Sequence, residues 1–340
     1  NALLNDERKP LLNKATSGAY PPGSTFKMIV AAAALEIGLI GLNDKIFCPG
    51  FYELGSRKFH CWLKGGHGKL KLQEAIQKSC DVYFYELARK VGVKKIGEMA
   101  RLLGLGQSYD LPLTGLSKGF IPSKKWKKER FGTSWLVGDT LNVGIGQGFS
   151  LATPLQLAVM TARLASGKQI TPNLIRGPNI VQAQPKSISI RKNTLDAIRK
   201  GMFDVLNEKE GTAFNFRSTD ETFSIAGKTG TSQVRKITRE EREKGVIKNE
   251  DLPWKMRDHA LFTCFAPYKK PKYALSVVVE HGGSGSKVAA PIARDIMLFQ
   301  LYGGIPPLTA YPETQQLEVR SRLLEIAKKI NLSSNINFNI

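Results

Sequence analysis

The chain has 340 residues, 42% hydrophobic and 23% charged, a mixture that can bury a sizeable core and excludes a disordered or fibrous protein. Its longest apolar stretch, Met28 to Leu35, is closed by Glu36 and Gly38, well short of the roughly 18 to 20 residues of a membrane span. A formal charge of +21 raises nucleic acid as a partner, but only Lys124, Lys125, Lys127, Lys128 and Arg130 form a run, around Trp126 and Phe131. The other cations are scattered among acids, so the run reads as a solvated basic face and nucleic acid is not expected.

Residues 1–23 are polar and turn-rich, ending in Pro21, Pro22 and Gly23, an extended approach to something ordered. No leader pattern of basic, apolar and small residues stands at Asn1, so an export signal is expected upstream of this chain. From Ser24 to about Ile37 nearly every residue is apolar or small, the composition of a helix buried on all sides. Residues 44–69 mix Gly, Pro, Cys, His and aromatics without helical period, which predicts a compact loop or short hairpins. A second helix is predicted from about Leu72 to Val91, a short amphipathic one over 95–105, and loops over 106–140.

Thr153 and Pro154 are an N-cap and first-turn pair for a helix to about Ala165, and another helix spans about 193–207. Gly144, Gly146 and Gly148 form no dinucleotide fingerprint, because no strand leads into them. Strands are expected at Thr222–Ala226, Ala260–Phe265 and Tyr273–Glu280, with a charged insertion over 236–257 as a mobile excursion or a helical arm. A helix over 288–302 closes one large domain of residues 1–302. Residues 303–340 hold a C-terminal helix and a tail, with 331–340 expected to be disordered.

Ser24-Thr-Phe-Lys27 puts a hydroxyl and an amine three residues apart, on one face of a helix start, where a serine nucleophile could have a base beside it. The spacing alone is weak, since Ser189 to Lys192 and Ser284 to Lys287 share it. Only Ser24 follows Pro-Pro-Gly and opens a buried helix, whose N-terminal N–H groups suit a developing oxyanion. Ser79-Cys80-Asp81 is a second element, also matched in spacing at Ser218 and Ser333. Lys228-Thr229-Gly230-Thr231 occurs once, directly after an expected strand, and Gly230 leaves that strand bare for a second backbone.

The order S-x-x-K, S-x-[ND], K-T-G resembles the penicillin-binding proteins and serine β-lactamases. The flanking Tyr20-Pro-Pro-Gly, Gly144-Ile-Gly-Gln-Gly, Ala152-Thr-Pro-Leu-Gln, Gly211-Thr-Ala, Asp258-His-Ala and Phe265-Ala-Pro are similar to elongation-type class B penicillin-binding proteins, over about residues 3–302. The resemblance implies an α+β transpeptidase fold: an antiparallel sheet of about five strands flanked by helices, a mostly helical lobe, and the site between. One strand should come from near the chain start.

It also implies a D,D-transpeptidase that cross-links peptidoglycan in cell-wall elongation and is inactivated by β-lactams. Ser24 would attack the D-Ala-D-Ala bond of a stem peptide, with Lys27 as base and Ser79 relaying a proton to the leaving amine. Backbone N–H groups of Ser24 and Thr231 would form the oxyanion hole, and Lys228, Thr229 and Thr231 would hold the substrate carboxylate. Burial together with a charged Lys228 would help Lys27 lose its proton. Asp81 stands where many relatives carry Asn, and would bond Lys27 and position Ser79. A D,D-carboxypeptidase, a β-lactamase and a non-catalytic β-lactam sensor or scaffold stay open as alternatives.

The resemblance further implies an N-terminal membrane anchor and a pedestal domain outside this chain, a place on the periplasmic side of the inner membrane, and a membrane glycosyltransferase of the rod-shape complex as partner. No organic cofactor is expected. Cys48, Cys61, Cys80 and Cys264 could be inert buried thiols, or Cys48 and Cys61 a disulfide. Alternatively Cys48, Cys61, His67 and Cys80 supply three thiolates and an imidazole, enough for a structural zinc; elongation-type relatives place metal-capable residues around a corresponding Gly-His-Gly. His259 and His281 read as structural, with no acid placed for a triad, and the four tryptophans as packing or rim residues.

Overall fold

In the computed structural model, which describes residues 1–175, 184–235 and 237–329, three helices pack on a three-stranded antiparallel sheet and the other helices pack mainly on one another. Before Ser24 the chain makes two single-turn helices, Ala2–Asn5 and Lys14–Ser17, and no strand. Pro10, Pro21 and Pro22 offer no N–H to a ladder. This segment instead reaches the sheet by side chains: Tyr20 donates its hydroxyl to Glu280 at 2.8 Å, and Lys14 pairs with the same carboxylate.

A 3-10 turn, Gly23–Phe26, leads into α1 (Lys27–Glu36), every residue of which but Glu36 is buried, as its composition requires. The 44–69 region forms two small antiparallel pairs, Ile46–Cys48 with Gly68–Leu70 and Phe51–Leu54 with Arg57–His60. The expected second helix is split in two, α2 (Leu72–Gln77) and α3 (Asp81–Leu102). Between them Ser79 adopts φ +54°, a left-handed conformation that is uncommon outside glycine. Cys80 caps α3, its sulfur accepting the Tyr83 N–H at 3.4 Å. Gly92 (φ 80°, ψ 151°) breaks α3 where the first of the two expected helices should stop.

The 106–140 segment contains two helices where loops are expected, α4 (Lys124–Phe131) and α5 (Val137–Gly144). The basic run lacks an apolar stripe, but Ser123 caps it, accepting the Trp126 N–H at 3.2 Å, and Gly132 closes it in the left-handed region. Helices α6 (Pro154–Ser166) and α7 (Lys192–Asn207) fall where the sequence places them, α6 with the Thr153 cap and a reciprocal Gln156 bond.

The sheet runs β1 (Ala226–Ser232), β2 (His259–Ala266), β3 (Tyr273–Val279), with β2 in the middle and buried along nearly its whole length. The first strand lies downstream of its expected position. Asp220 accepts the Thr222 N–H at 2.8 Å and folds 221–223 into a 3-10 turn, so the Lys-Thr-Gly run is itself the strand. Its glycines look unfit for a strand by propensity, yet a Cβ at Gly227 would sit 2.6 Å from the Phe262 ring, so packing decides. Helices α6 and α8 (Ala290–Tyr302) pack on β2 and β3, and α7 packs on β1. The charged insertion holds a short helix, Arg239–Lys244, and two 3-10 turns, and α9 (Glu313–Lys329) follows the closing helix. The tail at 331–340 lies outside the described residues.

Candidate active site

Packing around Gly23 sets the site. Its N–H donates to Gly146 O at 2.9 Å, and a Cβ on Gly146 would fall 2.1 Å from Gly23 O, so only glycine lets the 144–148 loop press on the Ser24 turn. On the other side, a Cβ on Gly230 would lie 3.0 Å from Thr25 Cγ2 and 3.2 Å from Pro22 O. The backbone expected to approach Gly230 is therefore the chain's own Pro22–Thr25 turn. Gln147 Nε2 donates to Thr231 O at 2.9 Å, joining loop to strand.

These contacts surround a cleft of about 410 Å³, lined by Ser24, Ser79, Asp81, Thr229, Gly230 and Thr231 from the three motifs. Lys27 and Lys228 lie behind its wall, both fully buried. Lys27 Nζ donates to Asp81 Oδ1 at 2.8 Å, to Ser79 O at 2.8 Å and to Ser79 Oγ at 3.2 Å. The left-handed turn at Ser79 aims both its carbonyl and its hydroxyl at one amine. Thr229 Oγ1 is 2.8 Å from Thr212 Oγ1 and accepts from Lys228 Nζ at 3.4 Å.

In the sequence expectation burial and a charged Lys228 together unload Lys27, and burial bears on Lys228 as well. Burial, and then the Lys27 charge, push Lys228 well below the ordinary lysine value, while Lys27 holds the ion pair with Asp81.

The wall also includes Trp62, Ile145, Gln147, Thr212, Gln233, Asp258 and Ser286. Gln147, Thr212 and Asp258 sit in the flanking runs that carry the resemblance, so a signal for them exists; Trp62, Gln233 and Ser286 have none. Asp258 is pushed up by burial and accepts N–H groups from Val234 at 3.2 Å, just before the charged insertion, and from Asn249 at 3.4 Å, within it. His259 and His281 bond each other and the backbone: His259 Nδ1 accepts the His281 N–H at 2.9 Å, and His281 Nδ1 donates to Arg257 O at 2.9 Å. They line no part of the cleft.

The four residues read as metal-capable come together next to the site. One ligand atom each from Cys48, Cys61, His67 and Cys80 lies within 4.8 Å of the others. His67 Nδ1 is 3.6 Å from Cys48 Sγ and 3.5 Å from Cys61 Sγ, and all four cysteines of the chain are free thiols here. The hydrogen bond from Cys80 pulls the Cys61 thiol strongly down. Trp62, next to Cys61, donates its N–H to Asp81 Oδ2 at 2.9 Å and its Nε1 to Ser79 O at 3.1 Å. The cysteine cluster is thus continuous with the motif residues: Cys80 stands between Ser79 and Asp81, and the Asp81 N–H donates to Cys61 Sγ at 3.4 Å.

A cleft framed by S-x-x-K, S-x-D and K-T-G-T on a helix-flanked antiparallel sheet defines a serine-based acyl-transfer fold. The chain belongs to the penicillin-binding protein transpeptidase-domain family, whose pattern it matches over residues 2–298. It is 36% identical over 320 residues to peptidoglycan D,D-transpeptidase MrdA of Haemophilus influenzae, covering 91% of this chain and 48% of that protein. It is 35% identical over 308 residues to MrdA of Escherichia coli K12, again covering 48% of the relative. The chain therefore spans about half the length of the curated relatives it matches. Among solved structures it is similar to PBP2 of Helicobacter pylori in complex with MreC, with TM-score 0.77, 38% identity, and coverage of 89% of this chain and 53% of that one. Pseudomonas aeruginosa PBP2 in complex with WCK 5153 gives TM-score 0.77, 37% identity, and coverage of 92% and 66%.

Proposed function

We propose that this chain is the catalytic part of a peptidoglycan D,D-transpeptidase of cell-wall elongation. The observation that carries the reading is the cleft itself, where three motifs far apart in sequence meet around Ser24 with two buried lysines behind them. Ser24 Oγ attacks the carbonyl between the two terminal D-alanines of a stem peptide. Its proton enters the Lys27–Asp81–Ser79 network, and Ser79 delivers a proton to the leaving amine as the C–N bond breaks and D-alanine departs. An acceptor amine then attacks the acyl-serine, forming the cross-link and returning Ser24 to its hydroxyl. Asp81 holds Lys27 against Ser79 within this network. Thr229, Thr231 and Lys228 hold the substrate carboxylate, and N–H groups of Ser24 and Thr231 receive the oxyanion.

The same reading assigns a structural zinc to Cys48, Cys61, His67 and Cys80. It is supported by their convergence and by His67 Nδ1, which faces both Cys48 Sγ and Cys61 Sγ. Four protein ligands leave no open position, so the ion would brace Trp62 against Asp81 and supply no nucleophile. Among the described residues no helix is long and apolar enough to cross a membrane. The reading places the domain on the periplasmic side of an inner membrane, held by an anchor outside this chain, beside a membrane glycosyltransferase.

Mass spectrometry of the intact chain after mixing with benzylpenicillin tests the nucleophile. A stoichiometric adduct that persists for hours and vanishes in Ser24→Ala is expected. Rapid loss of the adduct with hydrolysed drug would assign a β-lactamase, and no adduct on folded protein would leave a non-catalytic scaffold.

A further inference from the structure

Helix α4 carries five cations and one acid in eight residues. Lys127 is taken up inside, paired with Asp139 at the start of α5, and this fixes the orientation of the helix. Lys124, Lys125, Lys128 and Arg130 face solvent. Of these only Lys125 has an acidic neighbour among the described residues, Glu129 at 3.7 Å, with both groups mostly exposed. Beside them Trp126 stacks with Phe120, Phe131 and Phe149, at ring separations of 4.5, 5.5 and 5.1 Å. Phe131 and Leu136 are more than half exposed and Val137 nearly so. Phe131 is exposed and Trp126, Phe120 and Phe149 are only partly buried, so the cluster keeps an apolar face beside the cations.

The patch adjoins the cleft. Ile145 and Gln147 line the cleft wall, and two residues beyond Gln147 the Phe149 ring joins the Trp126 cluster. A chain leaving the cleft past Gln147 therefore meets aromatic faces and then unpaired cations. Sugar rings present C–H faces to aromatics, and carboxylates pair with Lys and Arg. We propose that the α4–Phe149 surface binds the carboxylate-bearing glycopeptide strand from which the stem peptide enters the cleft. This deepens the transpeptidase reading and rests on it. A lipid surface would also match cations beside apolar groups, but continuity with the cleft favours the polymer that the cleft acts on.

The test uses the whole chain and its variant K124E/K125E/K128E, in which each reversal is on an exposed side chain. Soluble, uncross-linked glycopeptide strands are the probe, read by co-sedimentation or surface binding. Strand binding is expected to weaken at least about ten-fold in the variant, and in the parent to fall as salt rises. Benzylpenicillin acylation and release of D-alanine from a short stem peptide should stay at the parent rates. Equal strand binding by parent and variant, or none by the parent, overturns the surface while leaving the catalytic reading intact. Parent binding to vesicles of anionic phospholipid that exceeds its binding to strands also overturns it, in favour of a membrane. Failure of the parent to acylate falls on the transpeptidase reading itself and takes the surface with it.

Discussion

Two fully buried lysines stand behind the Ser24 cleft, and among the described residues the one carboxylate bonded to either is that of Asp81, on Lys27. An ammonium without a partner is costly to bury, so Lys228 is pushed down by burial and by its neighbour's charge, and only the Asp81 charge resists that shift. For a group depressed in this way, stability is fully present above its ordinary value near 10.5 and is lost as pH falls from there to the folded value. Asp81→Asn lowers the folded value of Lys228 further and strips Lys27 of its ion pair. Urea unfolding near neutral pH should show a loss of about 3 kcal/mol. That loss should shrink as pH approaches 10.5, and a gap of constant size would remove Lys228 from the account. Penicillin acylation by the same variant should slow with a changed pH profile, since Asp81 holds the amine that touches Ser79.

The catalytic strand and the nucleophile turn are held together by glycines, and this contact can be broken without touching a catalytic side chain. In Gly230→Ala the new methyl would press on Thr25 Cγ2 and Pro22 O, at separations that require a shift of a few tenths of an ångström. Because Pro22 and Thr25 flank Ser24, the shift displaces the nucleophile, and acylation should fall by at least about ten-fold while thermal unfolding moves by only a few degrees. A variant with parent acylation would mean that the turn yields freely. The case also shows what could be read in advance. The buried helix after Ser24, the α6 cap and the order of the three motifs were legible because each is local. What was not legible depends on partners far along the chain. The Lys-Thr-Gly run looks unfit for a strand until Phe262 is seen filling the space at Gly227. The break at Ser79 answers to Lys27 and Trp62, and α4 has caps but no apolar period.

Across the whole molecule, the cysteine cluster and the catalytic network form one connected unit that draws on the 44–69 hairpins, the α2–α3 junction and α1. Cys48 ends one strand, Cys61 directly follows Arg57–His60, His67 directly precedes Gly68–Leu70, and Cys80 is the cap of α3. Without a bound ion, three sulfurs and an imidazole within 4.8 Å gain little from one another, and the small hairpins have few buried residues of their own. With zinc, the ligand bonds would cross-link segments whose closure otherwise depends on weak contacts. Elemental analysis of protein prepared with metal should therefore find about one zinc per chain. Removal by a strong chelator should lower the melting temperature by several degrees and slow acylation, both restored by adding zinc back. Cys48→Ser should reproduce the chelated state, because it deletes a ligand that touches no catalytic residue. Protein without zinc that acylates and melts unchanged after chelation would reduce the cluster to four packed side chains. In that case the Trp62 and Lys27 bonds to Asp81 and Ser79 would have to hold the catalytic turn in place.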